Sequence, residues 1–187
     1  MIWTIIQARL GSTRLPRKVM RPFGDRLLID AVYERAAQLG PPVALAIPRE
    51  DRELARACIG RGWVYTEGSE EDVLSRYVEA ARQLRATHVV RVTADCPFLD
   101  VEAGRWTIQE HVDSGADFTQ YVAEGRGVEV FTKDALERAD IIVPRNSWFF
   151  REHPDEHILQ SPRFKKRFVK FSVDTEAELD QARKRSG

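Results

Sequence analysis

Four short apolar runs, each followed by a stretch with helical spacing, constrain the fold of this chain more than any other feature. The runs are IWTIIQ at 2–7, VALAI at 43–47, WVYT at 63–66 and HVVRVTA at 88–94. Between them lie LLIDAVYERAAQL, with Leu28, Val32, Ala36 and Leu39 on one face, then REDRELARACIG and SEEDVLSRYVEAARQL. The first run, apolar at successive positions instead of alternating, reads as a strand covered on both faces. The rhythm predicts right-handed βαβ crossovers and a mainly parallel sheet with helices on both sides, an αβα sandwich that binds ligands beyond the carboxyl ends of its strands.

The later half reads less evenly. Asp100 is placed to cap the helix VEAGRWTIQEHVDSG. ADFTQY and GVEVFT then read as strands, KDALERAD as a helix, RFVKFSVD as a strand and TEAELDQARKR as a closing helix, while 141–163 shows no period. With 187 residues and no linker or repeat, a single domain over 1–187 is expected.

The first βα loop, ARLGSTRLPRK, carries the chemistry. It surrounds Gly11 and Ser12 with Arg9, Arg14, Arg17 and Lys18, a cluster that repels itself unless an anion or solvent offsets it. Lys+Arg and Asp+Glu both total 29, so no global field draws the chain to nucleic acid or an anionic membrane, and anion binding is local. The loop is neither a Walker A loop, since Pro16 replaces the second glycine and Val19 follows Lys18, nor a dinucleotide-binding GxGxxG. Backbone amides flanked by cations suit a polyphosphate.

Two aspartates follow apolar runs in the same way. Asp95 in RVTADCPFLD stands just past a strand, at the ligand edge of a parallel sheet, where a carboxylate suits magnesium or caps a turn. Asp174 in FSVDTEAEL ends a second strand, with helix capping as its bland alternative. On the 69–84 helix, Val73, Tyr77, Ala81 and Leu84 form the core stripe, Ser69 is placed to cap, and Asp72, Arg76, Glu79 and Gln83 form a solvated face where Arg76 can pair with Asp72. His153 and His157 have zinc-helix spacing, but Pro154 interrupts it and no third ligand is evident. The four tryptophans read as packing. Cys58 and Cys96 fit no disulfide framework or metal spacing, and the N-terminal apolar run is too short for a signal peptide, so a cytoplasmic protein without membrane segments is expected.

IIQARLGSTRLPRKVM, GSEEDVLSRY, RVTADCPFLD, GVEVFT and VDTEAELDQ, in this order, resemble the cytidylyltransferases of the spore-coat-polysaccharide type, relatives of CMP-Kdo and CMP-acylneuraminate synthetases. The likeness runs from residue 2 to about residue 183. It implies a nucleotide-diphospho-sugar-transferase fold (GT-A, Rossmann-like) with a mixed, mostly parallel sheet, and transfer of CMP from CTP to a sugar or sugar acid with Mg2+ as cofactor. Carried over by position, Ala8, Arg9, Gly11, Ser12, Arg14 and Lys18 hold the phosphates, with Arg9, Arg14 and Lys18 offsetting charge on the leaving pyrophosphate. Ser69, Asp72 and Val73 lie along ribose and base, Asp95 and Asp174 hold the metal, and Glu129, Glu156 and His157 face the acceptor. Gly127 stands where relatives usually carry aspartate, and relatives are commonly longer between Glu129 and Asp174. Relatives often dimerise through the later half, so a homodimer is a further expectation. A glycosyltransferase using a finished nucleotide-sugar and a non-catalytic nucleotide-binding protein are the rival readings.

Overall fold

The structure, a computed structural model, describes residues 1–12, 15–121 and 127–169. Its element order is β1 (Ile2–Gln7), β2 (Pro22–Phe23), β3 (Arg26–Leu27), α1 (Leu28–Ala37), β4 (Val43–Pro48), α2 (Arg52–Arg61), β5 (Val64–Gly68), α3 (Val73–Gln83), β6 (His88–Thr93), α4 (Val101–Ser114), β7 (Phe118–Tyr121), β8 (Glu129–Thr132), α5 (Lys133–Ile142), α6 (Trp148–Glu152), α7 (Pro154–Gln160) and β9 (Lys166–Val169). The strands read from the first half, the strands at 116–121 and 127–132 and the helices up to 140 all form. Asp174, Arg14 and the closing helix 175–185 lie outside the described residues.

Seven strands make one sheet in the order β5-β4-β1-β6-β8-β7-β9, and β2 with β3 makes a separate hairpin. β8 pairs antiparallel with both β6 and β7, while the β5–β4, β4–β1, β1–β6 and β7–β9 pairs are parallel. The sheet is therefore mixed and mostly parallel, with β8 alone reversed. β1 sits between β4 and β6, which explains why its residues are apolar on both faces. Ile6 packs with α1, α2 and α4 on one side, through Val32, Leu54 and Ile108, and Ile5 packs with α3, α5 and α7 on the other, through Leu74, Leu136 and Ile158. Three layers result.

Helix starts follow local chemistry. Asp100 accepts from the Ala103 amide as expected, and Thr132 accepts from that of Ala135. α3 differs: Asp72, not Ser69, caps it by accepting from the Ser75 amide, while Ser69 Oγ accepts from the Asp72 amide and shapes the turn before it. The hairpin and the two short helices α6 and α7 had no readable period. A two-residue strand cannot show one, and neither can a helix of five to seven residues.

Candidate active site

Beyond Gln7 the chain stays on the sheet for one residue, the Ala8 amide donating to Ala46 O, and then turns over the carboxyl edge. The loop is tied down by the Leu10 amide, which donates to Asp51 Oδ2 at 2.9 Å, and by the Ser12 and Arg17 amides, which both donate to Leu10 O. Lys18 then opens a short 3-10 turn anchored by the buried Val19. The folded loop forms one wall of a cleft of about 1210 Å³, lined by Ala8, Arg9, Gly11, Ser12 and Lys18. The β5–α3 turn adds Ser69, Glu71 and Asp72, the end of β6 adds Arg91, Thr93 and Asp95, and the α5–α6 segment and its end add Arg145, Asn146, Trp148, Arg151, Glu152 and His153.

Each described cation of the loop has found a carboxylate. Arg9 pairs with Glu152 at 3.0 Å, Lys18 with Asp95, and Arg17 with Glu53 at 2.5 Å. Arg17 adopts a left-handed backbone, φ 58°, and is not among the cleft-lining residues. Arg9 and Lys18 are thus held at the cleft by acids that an anionic ligand would compete with. Burial works to raise the Asp95 carboxyl, but hydrogen bonds from Lys18 and Thr93 and the charge of Lys18 outweigh it and hold the group below the usual carboxylate range.

The nucleoside-side residues divide. Ser69 and Asp72 line the cleft, but the Val73 side chain is fully buried in the core and is closed to side-chain contact with a ligand. Asp72 is the hub of an ion network. Its Oδ1 accepts from Arg151 Nε at 2.8 Å, and its Oδ2 from Arg145 Nη1 at 3.0 Å and from Arg151 Nη2, which also donates to Asp140 at 2.5 Å. Burial pushes the Asp72 carboxyl up, and the bonds from Arg151 and Ser75 bring the balance below the ordinary value. Arg76 therefore does not pair with Asp72, and it is not solvated either: it is buried, donating to the carbonyls of Ser69 and Glu70.

The residues expected on the acceptor side divide as well. REHPDEHI contains the dipeptide Glu-His twice, and the structure brings Glu152 and His153 to the cleft, whereas Glu156 and His157 are not among its lining residues. His157 instead packs its ring against Phe150 and Phe164. Pro154 separates the two copies by starting a new helix, so they fall on different surfaces. Glu129 lies behind the cleft-lining Arg91, bonded to it at 2.7 Å, with Asp155 3.6 Å from the same guanidinium. Burial pushes the Glu129 carboxyl up, Arg91 opposing and Asp155 adding to the rise. Trp148 is not packing: it is 71% exposed, lines the cleft and stacks on Phe149. Only its place in the unreadable 141–163 segment hid it.

As for a metal, the described residues present Asp95 as a strand-end carboxylate beside the phosphate-type loop. Magnesium is commonly held by one or two carboxylates and completes its shell with phosphate oxygens and water, so this donor fits. Among the described residues no group of three or more His, Cys, Asp or Glu could hold a metal ion. Asp174, the second expected ligand, lies outside the described residues.

Comparison with known proteins gives the family of a chain with this fold and cleft. The cytidylyltransferase family model matches residues 3–184. This chain belongs to the cytidylyltransferase family. It is 32% identical to the spore coat polysaccharide biosynthesis protein SpsF of Bacillus subtilis, covering 94% of this chain and 82% of that one. It is 30% identical to a 3-deoxy-manno-octulosonate cytidylyltransferase of Gemmatimonas aurantiaca, covering 75% of this chain and 54% of that one. Among solved structures, a cytidylyltransferase from Leptospira borgpetersenii superposes with a TM-score of 0.81 at 27% identity, over 94% of this chain and 78% of that one. A CMP:2-keto-3-deoxy-manno-octonic acid synthetase solved with CTP has a TM-score of 0.73 at 17% identity, over 99% and 98%, and shows a shared fold.

Proposed function

We propose that this cytidylyltransferase moves CMP from CTP to a hydroxyl of a sugar or sugar acid, releasing pyrophosphate, for the synthesis of a surface or spore-coat polysaccharide. The observation that carries this reading is the convergence of Arg9, Gly11, Ser12 and Lys18 with Ser69, Asp72 and Asp95 on one cleft at the carboxyl edge of the sheet. The relatives' names supply the substrate class.

In-line attack by the acceptor oxygen on the α-phosphorus, with departure of pyrophosphate, needs positioning and charge neutralisation more than covalent help. The loop backbone around Gly11 and Ser12 binds and orients the triphosphate. Arg9 and Lys18, released from Glu152 and Asp95, offset charge on the leaving pyrophosphate, joined by Arg14 as the family resemblance implies. Asp95, with Asp174, would hold Mg2+, which supplies neutralisation of phosphate charge when bound. Arg91, held from behind by Glu129, and His153 with Trp148 would face the acceptor. One domain over 1–187 carries the reaction. Its triphosphate substrate places it in the cytoplasm, and among the described residues no helix is long and apolar enough to cross a membrane. A homodimer through the later half would bury the exposed Ile141.

The test is pyrophosphate release from CTP with Mg2+ and a panel of sugars and sugar acids, beside thermal shifts with all four nucleoside triphosphates. Release with at least one acceptor and the largest shift with CTP are expected. No release with any acceptor, and no preference for CTP in the shifts, would overturn the reading.

A further inference from the structure

Arg76 is a buried charged side chain of α3 that the catalytic reading leaves without work. It is 1% exposed, yet its hydrogen-bond partners are two carbonyls and not a carboxylate: Nη1 donates to Ser69 O and, at 3.2 Å, to Glu70 O. Its Nε and Nη2 are buried without a hydrogen-bond partner among the described residues. Burial disfavours its charge and Arg9 repels it, and together they outweigh the favourable effect of Tyr77, Glu152 and Asp51. A guanidinium so placed works against stability, because the desolvation of its charge is not matched by an ion pair. The backbone is nevertheless shaped to receive it. A Cβ on Gly68 would meet Arg76 Cγ at 2.9 Å and Arg76 Cα at 3.2 Å, so only glycine lets the turn lie this close.

The consequence is an orientation of peptides. In a trans peptide the N–H points opposite to the C=O. Drawing the Ser69 and Glu70 carbonyls inward onto Arg76 turns the amides of Glu70 and Glu71 to the other side of the turn, the side on which Ser69 and Glu71 line the cleft. Two adjacent donors match the adjacent O2 and N3 acceptors of cytosine, and they meet the N3–H of uracil donor to donor. A mismatch of that kind leaves polar groups unpaired and is strongly rejected.

We infer that Arg76 is a positioning residue for base selection, fixing the Ser69–Glu71 backbone so that its amides read cytosine. The inference rests on the cleft being a CTP site. Arg76→Met keeps the length of the side chain and removes the charge. Its expected melting temperature is equal to or above that of the wild type, while KM for CTP rises about ten-fold or more, the CTP-over-UTP ratio of kcat/KM falls by a similar factor, and kcat at saturating CTP changes by less than about three-fold. In the free protein, amide exchange across residues 69–72 is expected to rise at least about ten-fold. Should the methionine variant not fold, Arg76→Lys, which retains the charge but not the fork, is read for the same quantities and is expected to fall between the two. A folded variant with unchanged exchange, KM and base ratio overturns the inference. A wild type that releases no pyrophosphate from CTP instead overturns the functional reading, and the exchange measurement still decides whether Arg76 sets the turn.

Discussion

The ammonium of Lys18 is ion-paired with the carboxylate of Asp95, 77 residues away in sequence, which joins the loop after β1 to the end of β6 at one point of the cleft. The pair is partly exposed, with 26% and 41% of the two side chains accessible, so it adds little to stability and is cheap to exchange for a ligand. Lys18→Ala is expected to fold normally, to weaken CTP binding by about 1.5 to 3 kcal/mol, the worth of a charge-assisted phosphate contact, and to slow turnover. Calorimetric titration with CTP checks it. Unchanged affinity would remove Lys18 from the phosphate site.

The same pair sets the expectation for the aspartate. Asp95→Asn removes the hard oxygen donor while leaving a group that still accepts from Lys18. Metal-dependent turnover should fall by about a hundred-fold or more, several kcal/mol of charge neutralisation being lost, with stability changed by less than about 1 kcal/mol. Turnover at several Mg2+ concentrations, alongside a denaturation curve, separates loss of metal from loss of fold. A variant that retains wild-type activity would exclude Asp95 as a metal ligand.

The opening strand and the cleft positions of Arg9, Lys18 and Asp95 were legible because each follows from a local rule: an unbroken apolar run, a self-repelling charge cluster, an acid past a strand end. Arg76 was misread because helical spacing says which face a residue shares but not whether a neighbouring turn closes over it. Here the β5–α3 turn does close, by way of Gly68. The wall formed by Arg145, Trp148, Arg151 and His153 was not legible at all, since α6 has five residues and gains its place from the tertiary contact of Arg151 with Asp72, 79 residues earlier. The duplicated Glu-His pair could not be resolved by sequence, because only the position of Pro154 and the packing of His157 decide which copy reaches the cleft.

That wall gives a third prediction. Arg151 is 2% exposed and bonds both Asp72 and Asp140, so Arg151→Met leaves two partly buried carboxylates without it. Breaking one side of a buried ion pair destabilises by about 3 to 5 kcal/mol, and chemical denaturation should show a loss near that range. Asp72→Asn should be milder, since Asp140 still partners Arg151. The double variant should be less destabilised than the sum of the singles, by roughly 0.5 to 3 kcal/mol, because both act on one contact. Strict additivity would mean that the Asp72–Arg151 contact does not hold the wall.

Stability against pH tests a buried histidine that does not line the cleft. His111 is buried on α4, its Nδ1 is 2.9 Å from Thr119 Oγ1, and its ring meets the edge of His88 at 5.2 Å. Burial and the neighbouring His88 push its pKa down to about 4, while Asp117 acts weakly in the other direction. An unfolded histidine titrates near 6.5, so between these values the unfolded chain binds the proton and the folded one does not. Stability is therefore full above about pH 6.5 and is lost progressively as the pH falls toward about 4, by up to about 3 kcal/mol from this residue. His111→Gln keeps a polar group within reach of Thr119 and cannot titrate, so urea midpoints measured from pH 7 to pH 4.5 should decline less steeply in the variant than in the wild type. Parallel pH profiles for the two proteins would show that His111 is not the group responsible.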